Sequence, residues 1–219
     1  MADTVHLYVF DGYADREPAF AVAGIGNPQF QREPGRWRVR TTAERADRGL
    51  RSMGGVAVRP DLALEALRPS DSRLLILPGG PGWEDATVHR PALAAALRFL
   101  DAGVPVAAIC GATAGLARTG RLDARPHTSN ALSYLKGTGY DGAQRYVDEP
   151  AVSDGVLITA GGTAGIRARD LRRTRDLRRG GARGVVSPPQ DREVGALRAP
   201  RTRRRGGHLT RRGHRGRLS

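Results

Sequence analysis

The chain contains few residues of several types, and each scarcity excludes a kind of protein or site. Its 219 residues include one cysteine, one lysine and eleven aromatic residues. A single cysteine excludes an internal disulfide framework, and no Cys or His spacing is typical of a metal site, so we expect no metal and no other cofactor. The sequence has no apolar run of membrane-spanning length and no signal peptide, so we expect a cytoplasmic protein without membrane partners.

The excess positive charge lies in the C-terminal quarter of the chain. The formal net charge is +14, and residues 166–219 carry eighteen arginines against four acidic residues, which accounts for the whole excess. This segment has little apolar periodicity and no aromatic residue, so it cannot bury enough surface to offset its ordering entropy. We predict a disordered, Arg-rich, low-complexity tail that binds nucleic-acid phosphates weakly and without sequence preference.

A frameshift near residue 165 is a second interpretation of the same segment. The chain has thirty-five arginines and one lysine, Lys136, as expected of a GC-rich gene. Out-of-frame translation of such a gene tends to yield Arg, Gly, Pro and Ala, and the character of the chain changes abruptly at Gly165. Under either interpretation we divide the chain into a domain over residues 1–165 and a basic tail over residues 166–219.

The lone cysteine follows a predicted buried strand. The apolar run 104–109 ends at Cys110, and Gly111 opens a glycine- and alanine-rich segment that is typical of a helix. A strand that turns at a nucleophile directly into a helix is the arrangement of a nucleophile elbow. The helix N-terminus and its free N–H groups favour the thiolate, so the sequence predicts a reactive Cys110. The alternative is a small buried cysteine that only fills the core.

A second predicted strand ends in a glycine-rich loop. The apolar run Leu74–Leu77 precedes residues 78–82, which read Pro-Gly-Gly-Pro-Gly. Parallel strands end at the same edge of a sheet, so this loop should lie near the cysteine. We predict that the N–H groups of Gly79, Gly80 and Gly111 contact an oxyanion formed on the substrate. The alternative is an ordinary strand-to-helix connection.

Predicted strands and helices alternate along the first 165 residues. The strands are expected over residues 6–10, 37–41, 55–58, 74–77, 104–109 and 155–160, and the helices over residues 14–25, 91–100, 111–116 and 131–135. Continuous apolar strands that alternate with helices are typical of a parallel sheet covered by helices on both faces. The sequence therefore predicts an α/β fold with a mostly parallel central sheet.

Three motifs, in this order along the chain, resemble the ThiJ/PfpI family, also called the DJ-one family. They are residues 76–80, 107–112 and 120–125. This family belongs to the class I glutamine amidotransferase-like superfamily, and the resemblance covers roughly the first three quarters of the chain. It implies a flavodoxin-like three-layer sandwich with a cysteine on the elbow. It also implies a homodimer, because family members are commonly dimers.

The resemblance further implies a glutamate near the cysteine at the start of the first helix. That position falls on Glu17. A carboxyl group buried beside a thiol is expected to have a raised pKa, to donate a hydrogen bond to sulfur and to move protons. The alternative is a solvent-facing glutamate that complements the helix dipole.

The sequence departs from the family at its third functional position. Related proteins often have a histidine directly after the cysteine or about twenty residues beyond it. Here Gly111 follows Cys110, and Asn130 occupies the later position, with His127 three residues before it. His127 is a candidate catalytic base, with a packed or solvated histidine as the alternative. Asn130 is a candidate to orient the substrate or the thiol.

Together these residues predict a cysteine-dependent enzyme that acts on a small carbonyl or acyl substrate. Cys110 would be the nucleophile and Glu17 its proton partner, in a hydrolase or a glyoxalase-like lyase. Glutamine amidotransferase and protease activities are less favoured, because residues 161–164, directly after the strand at 155–160, contain no histidine, and a Cys-His dyad lacks its base unless His127 supplies it. The alternatives are a non-catalytic, oxidation-sensing stress protein and an inactive truncated or frameshifted homologue.

Overall fold

The computed structural model describes residues 3–162, which form an α/β fold. In chain order its elements are β1 (Asp3–Tyr8), α1 (Ala19–Gly26), β2 (Trp37–Ala43), β3 (Leu50–Arg51), β4 (Ala57–Val58), β5 (Leu62–Ala63), β6 (Leu74–Leu77), α2 (Arg90–Asp101), β7 (Val106–Ile109), α3 (Gly111–Ala117), α4 (Leu132–Lys136), β8 (Ala151–Ser153) and β9 (Leu157–Ala160). Seven strands of this part of the chain form one sheet in the order β5-β2-β1-β6-β7-β9-β8. All neighbours pair in parallel except β8, which is antiparallel to β9.

The central strands are apolar on both faces because helices and loops cover both faces. In β6, Leu75 and Leu77 contribute to one core, which also contains Phe99 of α2. Leu74 and Ile76 point to the opposite core, which contains Ala21 of α1. This alternation is the two-residue period of a strand. Layers on both faces confirm the predicted flavodoxin-like three-layer sandwich with a mostly parallel sheet.

The first helix begins at Ala19, so the predicted start at residue 14 is wrong. Residues 15–18 form a turn instead, and Pro18 stands at the N-cap. The Ala14 N–H donates to the Gly79 carbonyl at 2.9 Å, and the Glu17 N–H donates to the Ala14 carbonyl at 3.1 Å. These bonds tie the segment to the loop after β6. The turn places Glu17 under that loop rather than on the helix surface.

The predicted strand at residues 55–58 is also corrected. Its last two residues form β4, which pairs with β3 in a separate two-stranded antiparallel sheet rather than in the main sheet. Two edge strands, β5 and β8, were not predicted because runs of two and three residues carry too little periodicity.

Several predictions concern residues that the structure does not describe. The domain boundary at 165 and the tail over 166–219, with its nucleic-acid and frameshift interpretations, lie outside residues 3–162. Within the described range, no helix has both the length and the apolar character needed to cross a bilayer.

A buried histidine on β1 makes the stability of the fold depend on pH. The Ser72 hydroxyl donates to the Leu74 carbonyl at 3.1 Å, so the 2.9 Å contact between His6 Nδ1 and Ser72 Oγ requires the imidazole to donate. Burial, together with the charge of Arg40, lowers the pKa of His6 from 6.5 to about 4. The folded protein therefore keeps His6 neutral at pH values where the unfolded chain protonates it.

We expect the free energy of unfolding to decrease as the pH falls from 6.5 to about 4, because the unfolded chain takes up a proton there and folded His6 does not. The contribution of this histidine is about 1.4 kcal/mol per pH unit, or about 3 kcal/mol over the interval. Urea unfolding across this range should show a shallower pH dependence in His6→Asn than in the wild type. Identical pH dependences would contradict the assignment.

Candidate active site

Cys110 lies at a sharp turn between β7 and α3. Its backbone dihedrals are φ 54° and ψ −120°, and it is the only non-glycine residue with positive φ within residues 3–162. The Cys110 N–H donates to the Ala160 carbonyl at 2.9 Å, and its carbonyl accepts from the Thr113 N–H at 3.1 Å and hydroxyl at 2.6 Å. These bonds from both sides hold a conformation that a side chain rarely adopts. The geometry is that of the predicted nucleophile elbow.

Glu17 is held beside the cysteine by the loop that follows β6. The Gly79 N–H donates to Glu17 Oε2 at 2.6 Å, and only 1% of Glu17 is exposed. The other carboxyl oxygen, Oε1, is buried without a hydrogen bond to nitrogen or oxygen, and the nearby Arg16 guanidinium is 4.0 Å away. Glu17 Oε1 and Cys110 Sγ are neighbours, because a Cβ atom on Gly162 would lie within 3 Å of both. A proton between Oε1 and Sγ would satisfy both atoms.

Two glycines enclose this carboxyl–thiol pair. A Cβ atom on Gly79 would lie 2.8 Å from Glu17 Oε2 and 3.0 Å from Cys110 Sγ. A Cβ atom on Gly162 would lie 2.8 Å from Glu17 Oε1 and 2.9 Å from the same sulfur. Sequence reasoning missed Gly162, although the signal was present: two consecutive glycines follow β9, as two consecutive glycines follow β6.

The side-chain amide of Asn130 links Gly162 to the Cys110 sulfur. Its amide oxygen accepts a hydrogen bond from the Gly162 N–H at 2.8 Å, and its Nδ2 donates to Cys110 Sγ at 3.1 Å. The Gly162 N–H requires an acceptor, so the amide oxygen must face it and the amide nitrogen must face sulfur. The amide therefore stabilises negative charge on sulfur but cannot take a proton from it.

Burial raises the pKa of both members of the pair. For Glu17 the hydrogen bond from Gly79 opposes the rise. For Cys110 the donors Asn130 and Gly111 oppose it, whereas the Glu17 charge adds to it. The sequence predicts a thiol pKa lowered by the helix N-terminus, but burial outweighs those N–H groups while Glu17 is charged. One negative charge on the pair is tolerated, and two are strongly disfavoured.

His127 makes its hydrogen bonds and ring contacts with residues other than Cys110 and Glu17. Its ring is fully buried, with Nδ1 donating to the Arg125 carbonyl at 2.7 Å and Nε2 at 3.4 Å from the Tyr140 hydroxyl. Tyr140 and Tyr146 pack against the ring edge-on. None of its hydrogen bonds or ring contacts within residues 3–162 involves Cys110. These contacts correspond to the packed-histidine alternative, and nothing in them supports a catalytic role.

The predicted oxyanion donors differ in their availability. The Gly79 N–H is used by Glu17, and the Gly111 N–H lowers the pKa of the Cys110 thiol, against the effect of burial. The Gly80 N–H makes no hydrogen bond within the described part of the chain. An oxyanion role therefore stays a prediction, and Gly80 has the N–H that is free to perform it.

Packing against Trp83 explains why a glycine follows the cysteine. A Cβ atom on Gly111 would lie 2.7 Å from the indole ring of Trp83, and one on Gly115 would lie 2.8 Å from the same ring. Trp83 is 1% exposed, and its Nε1 donates to the Pro78 carbonyl at 3.0 Å. The ring occupies the space that a histidine after Cys110 would need.

Among residues 3–162, no group of three His, Cys, Asp or Glu side chains is placed to hold a metal ion. The chemical groups gathered at the elbow are one thiol, one carboxyl, one amide and backbone N–H groups. This set suits nucleophilic attack with proton transfer.

Gly162→Ala tests the enclosure of the pair directly. The added methyl group would collide with both Glu17 and Cys110, and φ of Gly162 is not in the left-handed region, so the change probes space rather than backbone strain. We expect alkylation of Cys110 by iodoacetamide at neutral pH to slow by about tenfold or more. Gly137→Ala is the control, because a Cβ atom there would lie 3.9 Å from its nearest neighbour. Wild-type reactivity in Gly162→Ala would contradict the described geometry.

Comparison with known proteins agrees with the fold and the motifs. The chain matches the model of the DJ-1/PfpI family over residues 3–168. The chain is 37% identical over 163 residues to the uncharacterized protease YoaZ of Bacillus subtilis, and this alignment covers 73% of this chain and 77% of that protein. The chain is 29% identical over 106 residues to the deglycase PH1704 of Pyrococcus horikoshii, and this alignment covers 48% of this chain and 63% of that protein.

A solved structure is also similar to this chain in sequence and in fold. The DJ-1 superfamily protein Atu0886 from Agrobacterium tumefaciens is 34% identical and aligns with a TM-score of 0.67, over 78% of this chain and 88% of that chain. The family match spans most of the chain and includes the strand–cysteine–helix turn and the glycine loop described above. The chain therefore belongs to the DJ-1/PfpI family.

Proposed function

We propose that this chain is a cysteine-dependent enzyme that acts on a small carbonyl or acyl compound. Cys110 is the nucleophile and Glu17 is the general acid and base. The observation that carries this proposal is the buried Glu17 Oε1, which has no hydrogen-bond partner and lies beside the thiol. Relatives named as a protease and as a deglycase support an attack on an acyl or carbonyl carbon.

The first step with a 2-oxoaldehyde is addition. The Cys110 sulfur forms a bond to the aldehyde carbon, the C=O electron pair moves to oxygen, and that oxygen takes the proton from Glu17. The product is a hemithioacetal, and Glu17 is left as a carboxylate. The Gly80 N–H is the free donor for the developing oxyanion, and the Asn130 amide holds the thiolate before attack.

The second step uses the carboxylate as a base. Glu17 removes the proton from the former aldehyde carbon and returns it to the neighbouring carbon, while the hemithioacetal hydroxyl proton passes to the oxygen on that neighbouring carbon. The hemithioacetal thereby becomes a 2-hydroxyacyl thioester. Water then hydrolyses the thioester, so that a 2-hydroxy acid leaves and the thiol regains its proton. The net reaction adds one water to the oxoaldehyde and needs no oxidant or metal. It requires a base with a pKa near the operating pH, and burial moves Glu17 in that direction.

A second candidate function is oxidation sensing. The thiol is partly exposed and lies against a carboxyl whose Oε1 has no N or O partner. If Glu17 kept its proton, its carboxyl group could donate a hydrogen bond to an oxygen atom added to the Cys110 sulfur. In that case two equivalents of peroxide would oxidise Cys110 through the sulfenic acid to a stable sulfinate, with release of two waters and no turnover of a carbonyl compound.

The sequence-based expectations about partners and location also remain proposals. We propose a small-molecule substrate and a homodimer, since the family resemblance implies both. The expected cytoplasmic location is consistent with the absence of a membrane-spanning helix within residues 3–162.

Turnover of methylglyoxal tests the enzyme proposal. We expect purified protein to consume the aldehyde and release lactate, followed by proton NMR. Cys110→Ala should abolish turnover, and Glu17→Gln should reduce kcat by at least about a hundredfold, because the amide cannot move a proton. Asn130→Ala should lower the rate by less, since it removes one hydrogen bond to the thiolate and no titrating group.

Glu33→Gln is the matched control, because Glu33 is an exposed surface carboxylate paired with Arg36. It should retain wild-type turnover. Turnover that survives Cys110→Ala would refute the proposed nucleophile. Absence of turnover, together with stoichiometric sulfinate in mass spectra after peroxide treatment, would favour the sensor instead.

A further inference from the structure

A cavity opens at the carboxyl edge of the sheet, beside the end of β1. Its volume is about 550 Å³, which is within the usual range for small-molecule sites. Neither Cys110 nor Glu17 is among the residues that line it. The lining side chains used below are Tyr8, Phe10, Glu44, Arg48, Val88 and His89.

The position of the cavity follows from the strand order. β1 lies between β2 and β6, so the chain leaves the first strand towards one side of the sheet and later continues on the other side. Connections that diverge in this way leave a crevice outside the carboxyl ends of the strands, where α/β proteins commonly bind ligands. The elbow, in contrast, follows β7, on the far side of β6.

The glycine loop after β6 separates the two sites. A Cβ atom on Gly79 would meet the Cys110 Cβ at 2.7 Å, whereas one on Gly80 would meet the ring of Phe10 at 2.9 Å. Consecutive residues of this loop therefore face opposite sides. The loop forms a wall with the thiol on one side and the aromatic cavity on the other.

The floor of the cavity is aromatic and uncharged. The ring centroids of Tyr8 and Phe10 are 5.2 Å apart, and those of Phe10 and His89 are 4.4 Å apart. His89 Nε2 contacts the Pro81 carbonyl at 2.9 Å and must donate to it, so Nδ1 accepts from the Tyr8 hydroxyl at 3.0 Å. Burial lowers the pKa of His89, which keeps the ring neutral. Both ring nitrogens of His89 are therefore engaged within the protein, and the imidazole has no N–H free to donate to a ligand.

Both arginines of the rim are already paired. Arg45 makes two contacts with Asp47, at 3.1 Å and 2.5 Å. Arg48 contacts Asp11 at 3.2 Å. These pairs neutralise the positive charge at the mouth of the cavity, so the rim does not favour an anion.

Glu44 leaves a negative charge at the rim. Within residues 3–162 its carboxylate makes no hydrogen bond and no ion pair within 4.0 Å, unlike the other charged groups of the rim. Burial raises the pKa of Tyr8, and the charge of Glu44 adds to that rise, so its field reaches the aromatic floor. A carboxylate that makes no hydrogen bond or ion pair and shares a cavity with electron-rich rings attracts a cation.

We propose that this cavity binds a small organic cation, with an ammonium group near Glu44 and an apolar body against Phe10 and Tyr8. The ammonium would donate hydrogen bonds to the carboxylate and approach the aromatic faces. The apolar body would displace water from the space between the rings and Val88. This site is separate from the thiol chemistry and does not depend on it.

Three probes of equal size test the charge preference: benzylammonium, benzyl alcohol and benzoate. Isothermal titration at low ionic strength should give the tightest binding for benzylammonium, about fivefold or more tighter than for benzyl alcohol, with benzoate weakest. Glu44→Gln should reduce benzylammonium affinity to that of benzyl alcohol. Glu65→Gln is the control, because Glu65 is exposed and does not line the cavity, and it should change nothing.

Two further measurements separate this site from the thiol. Protein alkylated at Cys110 should bind benzylammonium as the unmodified protein does, and Val88→Trp, which fills the mouth of the cavity, should weaken binding. Equal affinity for benzoate, no effect of Glu44→Gln, or loss of binding on alkylation would each overturn the proposal. Glu44 is exposed, so its replacement leaves the core intact.

Discussion

The hydrogen bond from the Gly79 N–H to the Glu17 carboxyl is the contact on which the rest of the site depends. It links the turn before α1 to the loop after β6, and it holds a buried carboxyl against the thiol of Cys110. Burial makes two charges at this place costly, so the carboxyl and the thiol together keep one proton. The absence of side chains at Gly79 and Gly162 is what allows the two groups to approach each other.

Much of this arrangement could be predicted from the sequence. Apolar runs that end at Cys110 and at the glycine loop predict two strands, because each run is too short for a helix and is bounded by glycine or proline. The first helix was predicted too early, since its apolar face extends back into a turn that a hydrogen bond to Gly79 holds in place. That bond joins residues far apart in sequence and leaves no local pattern. The contact of Asn130 with sulfur agrees with its aligned position, whereas the contacts of His127 with two tyrosines depend on packing that the sequence does not reveal.

The loop after β6 serves two regions at once. Gly79 faces the carboxyl–thiol pair, and Gly80 faces the aromatic cavity beside β1. Trp83, just beyond the loop, packs against Gly111 and stacks on His89 with ring centroids 4.1 Å apart. The loop and this indole therefore place a thiol site and an uncharged aromatic cavity on adjacent parts of one sheet edge.

The most direct test of the shared proton is the pH dependence of Cys110 alkylation in the wild type and in Glu17→Gln. The account predicts two steps in the wild type, because two coupled groups titrate, and one step in the variant. The step of the variant should lie below the upper wild-type step, since the carboxylate charge that raises the pKa of the thiol is gone. A single step at the same pH in both proteins would contradict the coupling and, with it, the proposed role of Glu17.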